Sequence, residues 1–92
     1  MTEEQFRAQL VSQGFTDIEV LEREANLSND DHTHDFTASA LILDGEISVT
    51  TAEGTTTCGV GDTFMLDGGV VHHETYGPQG ARFLLGRRAI NQ

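Results

Sequence analysis

The pattern of hydrophobic and polar residues begins with a helical period and then changes to an alternating one. Thr2 and Gln5 have the spacing of a capping box, and the apolar residues that follow are one helical turn apart. Gly14 stands where a helix commonly ends, because glycine readily adopts the left-handed conformation of a C-cap. The pattern predicts a short helix over about residues 2–13.

After this helix the chain has the pattern of β-strands. Ile18 and Val20 alternate with acidic residues, which predicts a half-buried strand, and the phase reverses at Leu21-Glu22, so the strand is expected to be short or bulged there. Turn signals then recur roughly every six to ten residues, as in an antiparallel sandwich or barrel. These signals are Asp44-Gly45, Glu53-Gly54, Gly59-Val60-Gly61, Asp67-Gly68-Gly69 and Gly77-Pro78-Gln79-Gly80.

Asp44-Gly45 is the clearest of the turn signals. It lies between two apolar stretches, Leu41-Ile42-Leu43 and Ile47-Ser48-Val49. A dipeptide of this kind between two strand patterns is typical of a two-residue type I′ hairpin. The large apolar residues outside this hairpin are expected to form the core and to line a pocket: Phe36, Phe64, Met65, Leu66, Phe83, Leu84 and Leu85.

Three histidines are the main candidates for chemistry. His32 and His34 are two residues apart, so on a strand they point to the same face, and His72 follows thirty-eight residues after His34. From His32 to Ile42 the even positions are histidine or apolar, which places the imidazoles on the interior face. Three neutral imidazoles with open positions can hold Zn²⁺, Fe²⁺, Ni²⁺ or Cu²⁺, whereas an exposed pair can also bind stray metal by chance.

Composition narrows the class of protein. The 92 residues are expected to form one domain, with a helix in residues 1–14 and a barrel in residues 16–88. Fifteen acidic residues against five basic ones give a net charge of −10, which opposes binding to nucleic acid or to an anionic membrane. The absence of a signal-like N-terminus and the single cysteine, Cys58, favour a cytoplasmic protein with that thiol buried. A homodimer would hide apolar surface that so short a chain leaves exposed.

The histidines and the glycines around them resemble the motifs of the cupins, a family of small β-barrels or jelly rolls. The family motifs are G-x5-H-x-H-x3,4-E-x6-G and G-x5-P-x-G-x2-H-x3-N, and the resemblance covers about residues 26–76. The residues that match are His32, His34 and Gly45 for the first motif and Gly61, Gly69 and His72 for the second.

Four positions depart from these motifs. Asn26, Asp67 and Tyr76 replace a glycine, the proline and the asparagine, and Ala38 replaces the glutamate that binds metal in the family. The chain is therefore similar to three-histidine cupins such as thiol dioxygenases and β-diketone-cleaving dioxygenases. This similarity implies one divalent metal, with Fe²⁺ favoured over Zn²⁺, Ni²⁺, Mn²⁺ or Cu²⁺. Without a glutamate ligand the ion would keep its full charge and favour anionic ligands.

Other polar residues near His72 are candidates for proton transfer. Glu74 and Tyr76 have the same parity as His72, so they are a candidate general base and a candidate donor to substrate, although Glu74 fits equally well as an exposed carboxylate. His73 has the opposite parity, which predicts a surface residue and leaves its contribution open. Three arginines near the C-terminus can bind a substrate carboxylate or pair with surface carboxylates: Arg82, Arg87 and Arg88.

The residues and the resemblance together support two functions. The first is a metal-dependent enzyme of the non-haem dioxygenase type that acts on a small organic substrate. The alternative is a non-catalytic cupin, a sensor or carrier that binds a small molecule with or without metal. Fold analogy alone decides between the two, and it is a weak argument.

Overall fold

The computed structural model describes residues 1–90, which contain one helix and five strands. Residues 91 and 92 of the predicted domain lie outside the described residues. The elements are α1 (Glu3–Ser12), β1 (Thr16–Arg23), β2 (Phe36–Thr51), β3 (Gly54–Cys58), β4 (Thr63–Leu66) and β5 (His73–Ala89).

The N-terminal helix has the predicted caps at both ends. The Gln5 amide donates to Thr2 Oγ1 at 3.1 Å, and the Thr2 amide donates to Gln5 Oε1 at 2.8 Å. Gly14 has φ +82°, and the Phe15 amide donates to the Leu10 carbonyl at 2.9 Å, which closes a Schellman motif. The short N-terminal helix is therefore confirmed.

The five strands form one antiparallel sheet, which confirms the all-β prediction. The strand order is β1-β5-β2-β3, and β4 pairs with a different part of β2. The two long strands β2 and β5 lie side by side and connect every other strand to the sheet. Within residues 1–90 the sheet does not close on itself, because β1 and β3 are its two ends.

Two of the predicted turns are wrong, because the long strands pass straight through them. Strand β2 continues through Asp44-Gly45, and β5 continues through residues 77–80. Irregular pairing flanks Asp44-Gly45, and Gly45 has φ +74°. A Cβ atom on Gly45 would lie 2.0 Å from the Gly80 carbonyl oxygen. Gly45 and Gly80 therefore allow the backbones of β2 and β5 to approach closely, and the chain does not reverse at either residue. The other three signals do mark turns, at residues 52–53, 60–61 and 68–69.

Strand β1 is bulged, but not where the sequence pattern places the irregularity. The pairing with β5 shifts between Thr16 and Glu19, and Asp17 has φ +49°. From Glu19 onward the pairing is regular, so the expected break at Leu21-Glu22 is wrong. Because the bulge changes the phase before Glu19, Leu21 packs on the core while Val20 remains 39% exposed.

Buried residues lie on both faces of the central strands. One cluster lies under α1 and contains Phe6, Leu10, Phe15, Leu41 and Leu84. The other cluster contains Ala40, Ile42, Ile47, Val49, Cys58, Tyr76, Ala81 and Phe83. Cys58 is buried as predicted, and burial first and Asp62 second raise the pKa of its thiol. Met65, predicted to be core, is 50% exposed.

Candidate metal centre

His32 and His72 lie opposite each other and are paired by two backbone hydrogen bonds. The His32 amide donates to the His72 carbonyl at 2.9 Å, and the His72 amide donates to the His32 carbonyl at 3.0 Å. His34 lies two residues beyond His32, and its ring centroid is 4.8 Å from that of His32 and 5.0 Å from that of His72. The structure therefore brings together the three imidazoles that sequence spacing proposed as metal ligands.

Hydrogen bonds to backbone carbonyls hold two of these rings in one orientation. His32 Nδ1 lies 2.8 Å from the Asp30 carbonyl oxygen, and His72 Nδ1 lies 2.9 Å from the Val70 carbonyl oxygen. Because a carbonyl oxygen only accepts, each Nδ1 carries the hydrogen and each neutral ring presents an Nε2 lone pair. Nδ1 bonds of this kind are what commonly orient histidine ligands of metals.

Glu74 completes a cluster of four possible ligands with His32, His34 and His72. One ligand atom from each of the four residues lies within 4.8 Å of every other. Glu74 Oε1 is 3.2 Å from His72 Nε2, a distance suited to an ion pair. The two atoms do not form a hydrogen bond, however, and among the described residues this buried nitrogen has no hydrogen-bond partner. With the hydrogen on Nδ1, the Nε2 lone pair and the carboxylate oxygen repel each other unless a cation or a proton lies between them.

The distances between the candidate ligand atoms fit a divalent metal ion. Metal–ligand bonds of about 2.0–2.2 Å place two neighbouring ligand atoms roughly 3.0–3.4 Å apart, which includes the observed 3.2 Å between His72 Nε2 and Glu74 Oε1. The four ligand atoms all lie within 4.8 Å of one another, so small side-chain movements would bring them to the separations of atoms that bind one ion. Imidazole with carboxylate suits Zn²⁺, Fe²⁺ and Mn²⁺.

The Glu74 carboxylate is oriented by two donors that bond its other oxygen. Asn29 Nδ2 donates to Glu74 Oε2 at 2.9 Å, and the Tyr76 hydroxyl donates to the same oxygen at 3.3 Å. Asn29 Oδ1 also accepts the Glu74 amide at 2.8 Å, so its side chain fixes the loop before β2 to β5. Oε1 is left to face the imidazoles. Sequence reasoning missed Asn29, because no local pattern relates a loop asparagine to a carboxylate 45 residues away.

Tyr76, the predicted donor to substrate, is buried and donates to Glu74. It is 5% exposed and belongs to the core cluster. Burial, and next the Glu74 carboxylate, raise the pKa of Tyr76 to about 12, while Arg23 acts in the opposite direction. The hydroxyl therefore keeps its proton and acts as a donor.

A cavity of about 200 Å³ opens beside the four candidate ligands. It is lined by His32, His34 and Glu74 and by apolar residues of β2, β4 and β5, among them Phe36, Phe64, Leu66, Phe83 and Leu85. Ala38 lies on the same wall and is 6% exposed. The alternation of the sequence therefore placed the histidines correctly on the interior face.

The environment of His34 favours its neutral form. Its ring stacks on Phe36, with the two centroids 4.6 Å apart. Burial first, and the neighbouring imidazoles of His32 and His72 second, lower the pKa of His34 below its usual value. A neutral imidazole is the form that binds metal.

The remaining polar residues near the histidines have structural partners. His73 Nδ1 lies 2.7 Å from Asp31 Oδ1, and His73 lies outside the four-residue cluster, as its parity predicts. Of the C-terminal arginines, Arg82 pairs with Asp44 at 2.7 Å and Arg87 pairs with Glu19 at 2.7 Å. Arg82 and Arg87 therefore pair with carboxylates of the protein, which is the second of the two roles predicted for these arginines.

Solved structures of other proteins share this fold. A protein of unknown function from Rhizobium leguminosarum bv. viciae has a TM-score of 0.75 and 20% identity, over 79% of this chain and 69% of that chain. An RmlC-like cupin from Shewanella frigidimarina has a TM-score of 0.68 and 16% identity, over 82% of this chain and 67% of that chain. Oxalate decarboxylase from Bacillus subtilis has a TM-score of 0.69 and 22% identity, over 78% of this chain and 20% of that chain.

These likenesses show that the chain has the cupin fold. No protein-family model and no curated protein matches the sequence. The chain spans about a fifth of the decarboxylase, a protein that has Mn(II) centres. Among the described residues no helix is long and apolar enough to cross a bilayer.

Proposed function

We propose, from the premise that this chain has the cupin fold, that it is a metal-dependent enzyme of the non-haem dioxygenase type. The observation that carries the proposal is the convergence of three imidazoles and one carboxylate beside a cavity. His72 Nε2 supports it most, because a buried imidazole nitrogen without a hydrogen-bond partner among the described residues is stabilised when it binds a cation.

Each residue of the cluster has a role in this proposal. His32, His34 and His72 hold the metal, for which Fe²⁺ is favoured and Mn²⁺ gains support from the decarboxylase of the same fold. When bound, such an ion supplies redox or Lewis-acid chemistry and open positions for small ligands. The protein supplies orientation and a cavity that is partly apolar.

Glu74 and Tyr76 handle protons in this proposal. Glu74 lines the cavity, and its carboxylate accepts a proton from a bound small organic substrate. The Tyr76 hydroxyl and the Asn29 amide remain bonded to Oε2, so the carboxylate keeps its orientation through the transfer. Tyr76 orients Glu74 through this bond, and it also lines the cavity.

Elemental analysis of the untagged protein tests the metal site. We expect close to one transition metal per chain in the wild type and loss of that metal in His34→Ala, because removing one ligand of an open site weakens metal binding first. His73→Ala is the matched control, since His73 lies outside the cluster and should leave the metal content unchanged. Equal metal in the wild type and both variants would contradict the proposal.

A non-catalytic binding protein is the second candidate. It is supported by the cavity itself, which has apolar residues on four strands and, at about 200 Å³, room for a very small molecule without any metal. Ligand binding that is the same in the wild type and in metal-free His34→Ala would favour this candidate.

A further inference from the structure

Three of the five arginines form ion pairs within the protein. Arg7, Arg82 and Arg87 form ion pairs with Glu3, Asp44 and Glu19, respectively. Arg88 donates to the Gln13 carbonyl at 2.9 Å, and its guanidinium lies 4.6 Å from the centroid of the Phe15 ring.

Arg23, like Arg88, has no carboxylate partner within residues 1–90, and of these two arginines it is the one that lines the cavity. Its side chain donates to the carbonyl of Glu22 at 2.9 Å and lies near enough to the Tyr76 hydroxyl to act on the pKa of that group. Its guanidinium carbon lies 5.9 Å from the centroid of the Phe83 ring, which lines the same cavity. Tyr76 and Asn29 line the same cavity as Arg23, and both donate hydrogen bonds to the Glu74 carboxylate. Arg23 is therefore the cavity arginine whose charge is not balanced by a carboxylate among the described residues.

We propose that Arg23 binds the carboxylate of a small anionic substrate whose other end reaches the four-residue cluster. The planar guanidinium of an arginine matches a carboxylate with two parallel hydrogen bonds. Arg23 is itself exposed, and Phe83, Leu21 and Tyr76 form the cavity wall beside it, so a substrate carboxylate can reach the guanidinium from solvent. The other cavity arginine, Arg87, is already paired with Glu19. Because the second end of the substrate is assigned to the cluster, this inference rests on the proposed function.

Isothermal titration with malonate and succinate tests the site in the protein as purified, with metal content measured for every sample. We expect Arg23→Gln to raise the Kd of the tighter probe about 3- to 10-fold, because a charge-assisted pair at an exposed position is lost. Arg23→Lys should fall between Arg23→Gln and the wild type, since lysine keeps the charge without the fork. Arg82→Gln is the matched control and should change the Kd by less than about twofold, because Arg82 pairs with Asp44 away from the cavity.

The outcomes separate this inference from the proposed function. Any one of four results overturns the Arg23 site. Binding is unchanged in Arg23→Gln, is equally weakened in Arg82→Gln, is equal for succinamide and succinate, or is absent in the wild type up to about 10 mM. Wild-type protein without metal that still binds the probe through Arg23 overturns the metal proposal and supports the anion site. Metal content should stay at the wild-type level in Arg23→Gln, since Arg23 is not among the candidate ligands.

Discussion

Replacement of His72 by leucine separates the stability of the fold from the stability that a metal confers. His72 is 2% exposed, and its Nε2 has no hydrogen-bond partner within residues 1–90. An unpaired buried polar atom costs about 1–3 kcal/mol, whereas the lost bond from Nδ1 to the Val70 carbonyl contributes about 0.5–1.5 kcal/mol. We therefore expect metal-free His72→Leu to be as stable as the wild type or more stable, by about 0–2 kcal/mol.

Addition of metal should reverse this order. A ligand that binds the folded state alone at a hundred times its Kd stabilises it by about 2.7 kcal/mol, and His72→Leu has lost a ligand of the site. Urea denaturation followed by circular dichroism, once with excess chelator and once with saturating metal, measures both terms. The wild type should gain the metal-dependent stability and the variant should gain little.

The control is His73→Leu, which changes the adjacent histidine on the opposite face of β5. Its side chain is 35% exposed and pairs with Asp31, so the metal-dependent gain should remain. The reasoning is refuted if metal-free His72→Leu is less stable than the wild type by more than about 2 kcal/mol, since His72 would then be structurally required. Retention of the full metal-dependent gain by His72→Leu would refute it equally.

Two further substitutions test the register and the backbone. Ala38→Glu should tighten metal binding about tenfold and lower the stability of the metal-free protein, because a carboxylate enters the wall of the cavity. Metal affinity is measured by competition with a chelator. An unchanged affinity would mean that Ala38 does not face the metal site. Gly45→Ala should destabilise the protein by about 2–4 kcal/mol, because its Cβ would meet the Gly80 carbonyl oxygen at 2.0 Å. The control Gly61→Ala shares a positive φ but has no atom within 4 Å of the added Cβ, so it should lose only about 1 kcal/mol. Equal losses in urea denaturation would show that β2 and β5 do not approach closely there.

The anchoring of Glu74 shows what the tertiary structure added to the candidate site. Parity alone placed Glu74 near His72 and left it equally plausible as an exposed carboxylate. The direction of its two oxygens depends on Asn29, which is held in a loop by backbone bonds to β5. Arg23 likewise reached the cavity wall only through the pairing of β1 with β5. Contacts between residues far apart in sequence leave no signal in a local pattern.

The sequence alone determined the features that depend only on residues close together in the chain. The caps of α1 depend on Thr2, Gln5 and Gly14, and the shared face of His32 and His34 follows from the period of two of an extended chain. The tertiary structure decided where chain reversals occur. Asp44-Gly45 has the local chemistry of a hairpin, yet β2 continues through it because pairing along β5 satisfies more backbone hydrogen bonds than a turn would. Local preference is weak compared with a long strand pairing, so it is overruled where the two disagree.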